Sequence, residues 1–241
     1  MRNVLVTGGS RGIGLAIVRR LAAVSDYNVI AAARTEGEAL AAAIEATPDR
    51  LHYERLDLAD VDAIPEFVRE LKTRFGPLYA LVNNAGLGTD GLLANLHISQ
   101  IEQVVRVNTV APMVLTKYVV RGMMAEGRGR VVNIASIVAA TGYNGLSVYS
   151  ASKAALTGFT RALAREVGRV GVTVNAIAPG FVDTELTHGL DAAQRDRVVA
   201  RNALRRMVEP EDVAAMAALL MGEGGRNITG AVMTVDAGAT A

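Results

Sequence analysis

Short apolar runs alternate along most of this chain with segments whose apolar residues recur at helical spacing. The runs are rich in Val, Ile and Ala and too short for helices, which is typical of buried strands. The predicted strands are Val4–Val6, Asn28–Ala33, Leu51–Asp57, Leu78–Asn83, Arg130–Ala135, Val172–Ala178 and Val232–Val235. One helix follows the first strand, and the others are predicted at Glu36–Ala46, Val61–Phe75, Ile98–Glu126, Ser147–Val167 and Glu209–Met221. The alternation predicts an α/β fold with right-handed crossovers and a doubly wound parallel β-sheet of about seven strands, with helices on both faces.

The composition agrees with this architecture. Of the 241 residues 51% are hydrophobic but only 4% are aromatic, so Ala, Val, Leu and Ile must build the core, as in parallel sheets covered on both faces. No internal repeat or linker divides the sequence. We therefore expect residues 1–241 to form a single domain.

Charge and residue usage exclude several classes of function. A net charge of +1 gives no reason to expect nucleic acid as a partner. The chain has no cysteine and only three scattered histidines, so we expect no disulfide, no thiolate nucleophile and no metal site. Val131–Ser152 is uncharged but too rich in polar and turn residues for a membrane span, and the N-terminus leads directly into a strand. These features predict a cytoplasmic protein without a membrane segment.

The segment after the first predicted strand is rich in glycine. Gly8, Gly12 and Gly14 separate that strand from a helical pattern, and the helix start would present unpaired N–H groups and a partial positive charge. Glycines there let the backbone approach an anion such as a pyrophosphate. A purely structural glycine turn explains the same spacing.

Chemically informative residues follow the other predicted strands as well. In a doubly wound sheet the carboxyl ends of the strands meet at one edge, where ligands bind. The residues at these ends are Thr7–Gly14, Ala33 and Arg34, Asp57, Asn83–Gly86, Ser136, and Pro179 and Gly180. Their convergence favours a Rossmann-type nucleotide site over a structural glycine turn.

Tyr149 and Lys153 lie four residues apart, on one face of a predicted helix. A nearby ammonium would bring the pKa of a phenol towards the working range of an acid–base catalyst. Such a pair can also be an ordinary surface contact. However, only three of the 25 basic residues are lysines, so a lysine at this spacing is unexpected by chance. We interpret the pair as functional.

Ser136 and Asn108 are weaker candidates. Ser136 could donate a hydrogen bond to a substrate carbonyl, although a helix cap or loop role is equally compatible with its position. Asn108 interrupts an apolar helical stretch and must find hydrogen-bond partners if buried; the simplest explanation is a core residue that ties adjacent strands together.

Together these motifs resemble the short-chain dehydrogenase/reductase family. The resemblance rests on TGGSRGIG at 7–14, NNAG at 83–86, Asn108, Ser136, Tyr149-x3-Lys153 and PGFVDT at 179–184, in the family's order across the whole chain. Further segments (RGMM at 121–124, LAREV at 163–167 and the closing ITG-x4-VDAG) are similar to bacterial 3-oxoacyl-[acyl-carrier-protein] reductases. The end, VDAGATA, departs from the two adjacent glycines more usual in the family.

The resemblance implies a catalytic tetrad. Tyr149 would give a proton to the carbonyl oxygen that Ser136 holds, and Lys153 would bind the nicotinamide ribose and depress the pKa of Tyr149. Asn108 would hold a water that links Lys153 to solvent. The expected cofactor-binding residues are Gly8, Ser10, Arg11, Gly12, Ile13, Gly14, Arg34, Asp57, Leu58, Asn84, Ala85, Gly86, Tyr149, Lys153, Pro179, Gly180, Val182 and Thr184.

The end of the second strand bears on which dinucleotide binds. An acidic residue there selects NAD, whereas arginine accommodates the 2′-phosphate of NADP. Ala33 takes the acidic position and Arg34 follows it, with Arg11 in the glycine turn. We expect NADP(H), although Arg34 could also be a solvated loop residue.

The sequence says less about the substrate. Residues 181–206 mix charged and apolar positions, which predicts a lid over the substrate. Arg128, Arg130, Arg165 and Arg169 could steer an acidic acyl carrier protein towards the cleft, or serve only solubility. The expected activity is NADPH-dependent reduction of a 3-oxoacyl thioester by a homotetramer, the latter by family analogy. Reduction of another small ketone, quinone, polyketide or sugar alcohol stays open, as does a non-catalytic nucleotide-binding regulator.

Overall fold

The computed structural model describes residues 1–182, 184 and 192–241. Its strands are β1 (Arg2–Thr7), β2 (Tyr27–Ala33), β3 (Leu51–Arg55), β4 (Leu78–Asn83), β5 (Gly129–Ile134), β6 (Val172–Pro179) and β7 (Val232–Val235). The α-helices are α1 (Gly12–Ala22), α2 (Glu38–Ala46), α3 (Ile64–Phe75), α4 (Ile98–Val105), α5 (Ala111–Glu126), α6 (Val138–Thr141), α7 (Ser147–Val167), α8 (Ala192–Arg201) and α9 (Pro210–Met221).

The seven strands form one parallel sheet in the order β3-β2-β1-β4-β5-β6-β7. The chain starts at the centre, winds outward to β3, and returns to the centre before it winds to β7. The predicted doubly wound α/β fold is thus confirmed. The strand order reverses beside β1, between its neighbours β2 and β4, where such sheets bind ligands.

Two apolar layers hold the helices against the sheet. One face, with Val4 and Val132, packs on α1, α2 and α9. The other face, with Leu5 and Val131, packs on α3, α5 and α7. The alternation of neighbouring strand residues between these clusters explains why the strands read as continuous apolar runs.

The predicted helix Ile98–Glu126 is wrong as a single regular element. The structure divides it into α4, a π-helical turn at Arg106–Val110, and α5. Smaller differences occur at other ends: β3 stops at Arg55, and the predicted helix at Val61 begins with a 3-10 turn, Val61–Ala63. Regular apolar spacing continues through the π-turn, so the sequence pattern gives no sign of it.

Candidate active site

The turn between β1 and α1 has the geometry of an anion site. Gly8 and Gly12 adopt positive φ angles of 66° and 53°, and a Cβ on Gly14 would lie 2.0 Å from the Gly8 carbonyl oxygen. No side chain caps the start of α1 at Arg11. A helix start presents N–H groups that have no partner within the helix, and the three glycines let an anion such as a pyrophosphate approach them.

Asn84 fastens the loop after β4 to this turn. Its Nδ2 donates to the carbonyl oxygens of Thr7 and Gly8 at 2.9 and 3.2 Å. Thr7 Oγ1 accepts from the backbone N–H of Asn84 and of Ala85 at 3.0 and 3.1 Å. Asn84 and Ala85, both expected to bind cofactor, thus hold the two loops together.

The loop after β2 lies beside the same turn. Ala33 is buried at the strand end, Arg34 is exposed, and Gly37 faces Ser10 across the gap. Next along the edge, Asp57 Oδ1 accepts from the Ala59 N–H at 2.9 Å, which shapes the turn after β3. The adjoining Leu58 is buried in the core.

The segment after β6 closes the other side. Gly180 donates its N–H to the Val235 carbonyl oxygen at 2.9 Å, and a Cβ there would lie 2.9 Å from Asp236. Val182 forms a bridge with Val208, and the Thr184 methyl would lie 3.4 Å from a Cβ on Gly12. Thr184 is therefore close to the glycine turn, as expected of a cofactor-binding residue.

Tyr149, Ser136 and Lys153 gather at the centre of this edge. The Ser136 hydroxyl lies close enough to the Tyr149 phenol to lower the pKa of that phenol. Lys153 Nζ lies 5.7 Å from the Tyr149 ring centroid and donates to the Ile134 carbonyl oxygen at 2.8 Å. Helix α7 supplies the tyrosine and the lysine, whereas the end of β5 supplies the serine and the carbonyl.

The ionisation of these groups is set mainly by burial. Burial raises the pKa of Tyr149, and the Ser136 hydrogen bond lowers it less than burial raises it. Burial lowers the pKa of Lys153, which is only 4% exposed, to about 8. Lys153 is not among the causes of the shift at Tyr149, and its ammonium donates to the Ile134 carbonyl, so the expected depression of the Tyr149 pKa by Lys153 stays a prediction.

Asn108 lies in the π-helical turn and is fully buried. Its Oδ1 accepts from the Leu87 N–H at 2.7 Å, and its Nδ2 donates to the Leu87 carbonyl oxygen at 2.8 Å and to Ser152 Oγ at 3.1 Å. Asn108 therefore joins the loop after β4 to α7. It does not tie adjacent strands together, because it belongs to a helix layer outside the sheet.

Gly86 leaves an open slot between these groups. A Cβ on Gly86 would approach Asn108 Oδ1 and Lys153 Nζ, each to 3.3 Å. The glycine thus keeps space free beside the lysine, in line with the glycine turn. A dinucleotide that spans from the turn to Lys153 fits this arrangement.

Sequence reasoning missed Ser152 and the Ile134 carbonyl. Ser152 Oγ donates to the Tyr149 carbonyl oxygen at 2.7 Å while it accepts from Asn108. Its place beside Lys153 in the Tyr-x3-Lys motif was a usable signal. No side-chain pattern marks a backbone acceptor such as Ile134.

The four arginines expected to steer an acyl carrier protein lie away from the glycine turn of their own chain, and their steering role stays a prediction. Arg128 and Arg130 lie at the start of β5, while Arg165 and Arg169 lie at the end of α7 and just beyond it. These positions belong to the amino edge of the sheet, opposite the cleft. Moreover, Arg130 is buried and its guanidinium stacks near Tyr79.

The predicted lid at 181–206 is only partly described, since residues 183 and 185–191 lie outside the described residues. The described part contains α8, and its end is bonded to the C-terminal segment: Leu204 donates its N–H to the Ala237 carbonyl oxygen at 3.0 Å.

Searches of the described residues for two further features were negative. No helix there is both long and apolar enough to cross a bilayer. Likewise, no group of three or more His, Asp or Glu side chains in that part of the chain is placed to hold a metal ion.

Known proteins match both the sequence and the fold. The family model for short chain dehydrogenase matches residues 2–195. The 3-oxoacyl-[acyl-carrier-protein] reductase FabG of Pseudomonas aeruginosa is 37% identical over 235 residues, 97% of this chain and 95% of its own. The reductase MabA of Mycobacterium bovis, of the same description, is 34% identical over 98% of this chain and 92% of its own.

Among solved structures, a variant of actinorhodin polyketide ketoreductase with NADPH superimposes with a TM-score of 0.90 at 35% identity. That match covers 99% of this chain and 97% of the other. The chain belongs to the short-chain dehydrogenase family and is an oxidoreductase that acts on C=O and CH–OH groups.

Proposed function

We propose that this enzyme reduces the 3-oxo group of an acyl thioester with NADPH, giving the 3-hydroxyacyl product. The observation that carries the proposal is the convergence of the Tyr149 phenol, the Ser136 hydroxyl and the buried Lys153 ammonium beside the slot at Gly86. Similarity to carrier-protein reductases over nearly the whole chain supports the choice of substrate.

The tetrad residues take separate roles in this proposal. NADPH, when bound, supplies the hydride. Ser136 and Tyr149 hold the substrate oxygen between two hydroxyls, and Tyr149, which keeps its proton because burial raises its pKa, donates it to that oxygen. Lys153 places a positive charge beside the phenol, and Asn108 fixes the loop at Leu87 against α7.

Arginine at the end of β2 supports NADP(H) as the cofactor. The exposed Arg34 follows the buried Ala33, where a carboxylate would contact a ribose hydroxyl in an NAD-selecting site. The neighbouring ketoreductase, solved with NADPH, provides independent support. A guanidinium can form charge-assisted hydrogen bonds with a 2′-phosphate.

A cofactor switch tests this assignment. The double variant Ala33→Asp, Arg34→Ala should lower the ratio of kcat/KM for NADPH to that for NADH by about tenfold to a hundredfold, since charged hydrogen bonds are exchanged. The exposed Arg20, in the last turn of α1, offers a matched control as Arg20→Ala. An unchanged ratio in the double variant would remove Arg34 from cofactor selection.

The substrate is tested by NADPH oxidation with acetoacetyl thioesters on coenzyme A and on acyl carrier protein. A panel of simple ketones, quinones, sugars and polyketide-like diketones provides the comparison. We expect the highest kcat/KM for a thioester, and a preference for another member of the panel would reassign the substrate. A cyclic polyketide-like ketone is the second candidate, because the structural neighbour is a polyketide ketoreductase.

An acyl carrier protein partner, the homotetramer and the cytoplasmic location stay predictions. Light scattering coupled to gel filtration would measure the assembly, with about four times the chain mass of 25.3 kDa expected.

A further inference from the structure

Four buried polar side chains form a connected series beneath the active site. Two adjacent strands supply the middle pair and two helices supply the ends: Thr116 on α5, Asn83 on β4, Asn133 on β5 and Thr160 on α7. We call this set the buried ladder. Asn83 Nδ2 donates to Thr116 Oγ1 at 2.9 Å and to Asn133 Oδ1 at 2.8 Å, and Asn133 Nδ2 donates to Thr160 Oγ1 at 2.9 Å.

Starting from Thr160, each hydrogen bond of the ladder fixes which atom donates in the next one. Thr160 donates its hydroxyl proton to the Leu156 carbonyl oxygen at 2.7 Å, so its oxygen can only accept from Asn133. The Asn133 amide is then oriented with Oδ1 towards Asn83. Thus Thr160 determines the orientation of both amides, and loss of its hydroxyl would leave Asn133 without its acceptor in a dry interior.

The ladder replaces apolar packing at one position in each strand. Leu81 on β4 and Val131 on β5 point to the layer that holds α5 and α7, and Asn83 and Asn133 continue the same stripe one pleat further. Leucine or valine would fill these sites without a need for partners. Hydrogen bonds depend on direction as well as distance, so they fix the position and the rotation of a helix more closely than apolar contacts do.

The ladder is linked to the catalytic residues because both sets include residues of α7 and β5. Thr160 lies seven residues after Lys153, about 10.5 Å along the same face of α7. Lys153 is bonded to the Ile134 carbonyl, and Thr160 is bonded to Asn133, the preceding residue of β5. Two consecutive residues of β5 therefore hold α7 at two points.

We propose that Thr160 and Asn133 are positioning residues for the reaction: they fix the rotation and height of α7 against β5, so that Tyr149 and Lys153 meet Ser136 and the Ile134 carbonyl. The inference rests on the proposed function, because it concerns the geometry of the same site.

Two threonine variants at opposite ends of the ladder separate positioning from stability. Thr160→Val and Thr116→Val each remove one fully buried hydroxyl from the ladder and preserve shape, but only Thr160 lies on the helix that carries Tyr149 and Lys153. Thr160→Val should lower kcat by about tenfold or more through misplacement of the catalytic groups, with a smaller change in KM. Thr116→Val should keep the wild-type kcat, and Thr160→Ser should restore it. Melting temperatures of all three show which proteins are folded at the assay temperature.

A second measurement does not depend on turnover. Because the chain has only Lys72, Lys117 and Lys153, lysine labelled with 13C at Cε should give three NMR signals, and Lys153→Arg assigns one of them. In the apo protein we expect the Lys153 signal to titrate near pH 8, and Thr160→Val should move that midpoint towards the ordinary lysine value. Thr116→Val should leave it unchanged.

The outcomes are distinct. If wild-type protein turns over none of the panel with NADPH, the proposed function fails, while the NMR midpoints still test the ladder. If wild type is active and Thr160→Val alters neither kcat nor the Lys153 midpoint, or alters both no more than Thr116→Val, the ladder is only structural and the inference is overturned.

Discussion

Buried polar groups have different surroundings at the two edges of the sheet, the amino edge where the parallel strands begin and the carboxyl edge where they end. At the amino edge, Asn3 Nδ2 donates to the carbonyl oxygens of Phe75 and Pro77, and Asn3 Oδ1 accepts from Asn28 Nδ2 at 2.9 Å. Asn28 Oδ1 in turn lies 2.8 Å from His52 Nε2. These side chains satisfy one another and join the starts of three strands.

The carboxyl edge keeps its polar groups available. Lys153 is buried, and its ammonium donates to the neutral Ile134 carbonyl; burial also raises the pKa of Tyr149. The buried hydroxyl oxygens of Thr89 and Ser150 have no hydrogen-bond partner among the described residues. Buried atoms without a partner among the described residues also occur at the amino edge, at Arg130 Nε and Thr173 Oγ1. The contrast therefore rests on Lys153, a cationic group that the carboxyl edge holds in the interior at a cost in stability.

Among the substitutions that test this contrast, removal of the Tyr149 hydroxyl should have the largest effect on activity. Tyr149→Phe removes the proton donor but keeps the ring, so kcat should fall by about a thousandfold. The free energy of unfolding should not fall by more than about 1 kcal/mol, because the lost hydrogen bond is to a single hydroxyl. Steady-state kinetics and urea titration give both numbers; undiminished turnover would rule out Tyr149 as the donor.

The reverse pattern is expected at the amino edge. Asn3→Ala leaves two carbonyls and the Asn28 amide without a partner, and should lower the free energy of unfolding by about 2 kcal/mol. Activity at low temperature should remain at the wild-type level, since Asn3 is at the far end of β1 from the glycine turn. The exposed Asn227 serves as control, with little change expected for Asn227→Ala. A large fall in kcat for folded Asn3→Ala would break the comparison.

A smaller effect concerns the C-terminal turn beside the lid. Ala237 adopts a left-handed φ of 54°, at the position where the sequence departs from the double glycine usual in the family. Ala237→Gly should relieve this strain and raise the free energy of unfolding by up to about 1 kcal/mol. Thermal unfolding measures the gain, and destabilisation would mean that the alanine methyl contributes more by packing.

The sequence was sufficient for features that are local along the chain. The glycine turn and the Tyr149–Lys153 pair each depend on residues within one or two helical turns. The alternation of strands and helices was likewise sufficient to predict a doubly wound parallel sheet, though not its strand order. The π-turn at Asn108 was not predictable, because its partners Leu87 and Ser152 come from distant segments. The position of Arg128 was also predictable, because it precedes a parallel strand and the topology therefore assigns it to the amino edge.

The most direct test of the difference between the two edges is to measure how much the burial of Lys153 lowers the stability of the fold, as a function of pH. An unfolded chain keeps a lysine proton up to a pKa of 10.5, whereas folded protein releases it at about 8. Between these values the unfolded state binds more protons at this lysine, so the contribution of Lys153 to the stability rises with pH. The relevant quantity is the unfolding free energy of wild type minus that of Lys153→Met, measured by urea titration from pH 7 to pH 10. It should rise towards the limit of about 3 kcal/mol that the shift sets. A difference that stays constant across this range would mean that Lys153 is not held at a cost, and would contradict the account.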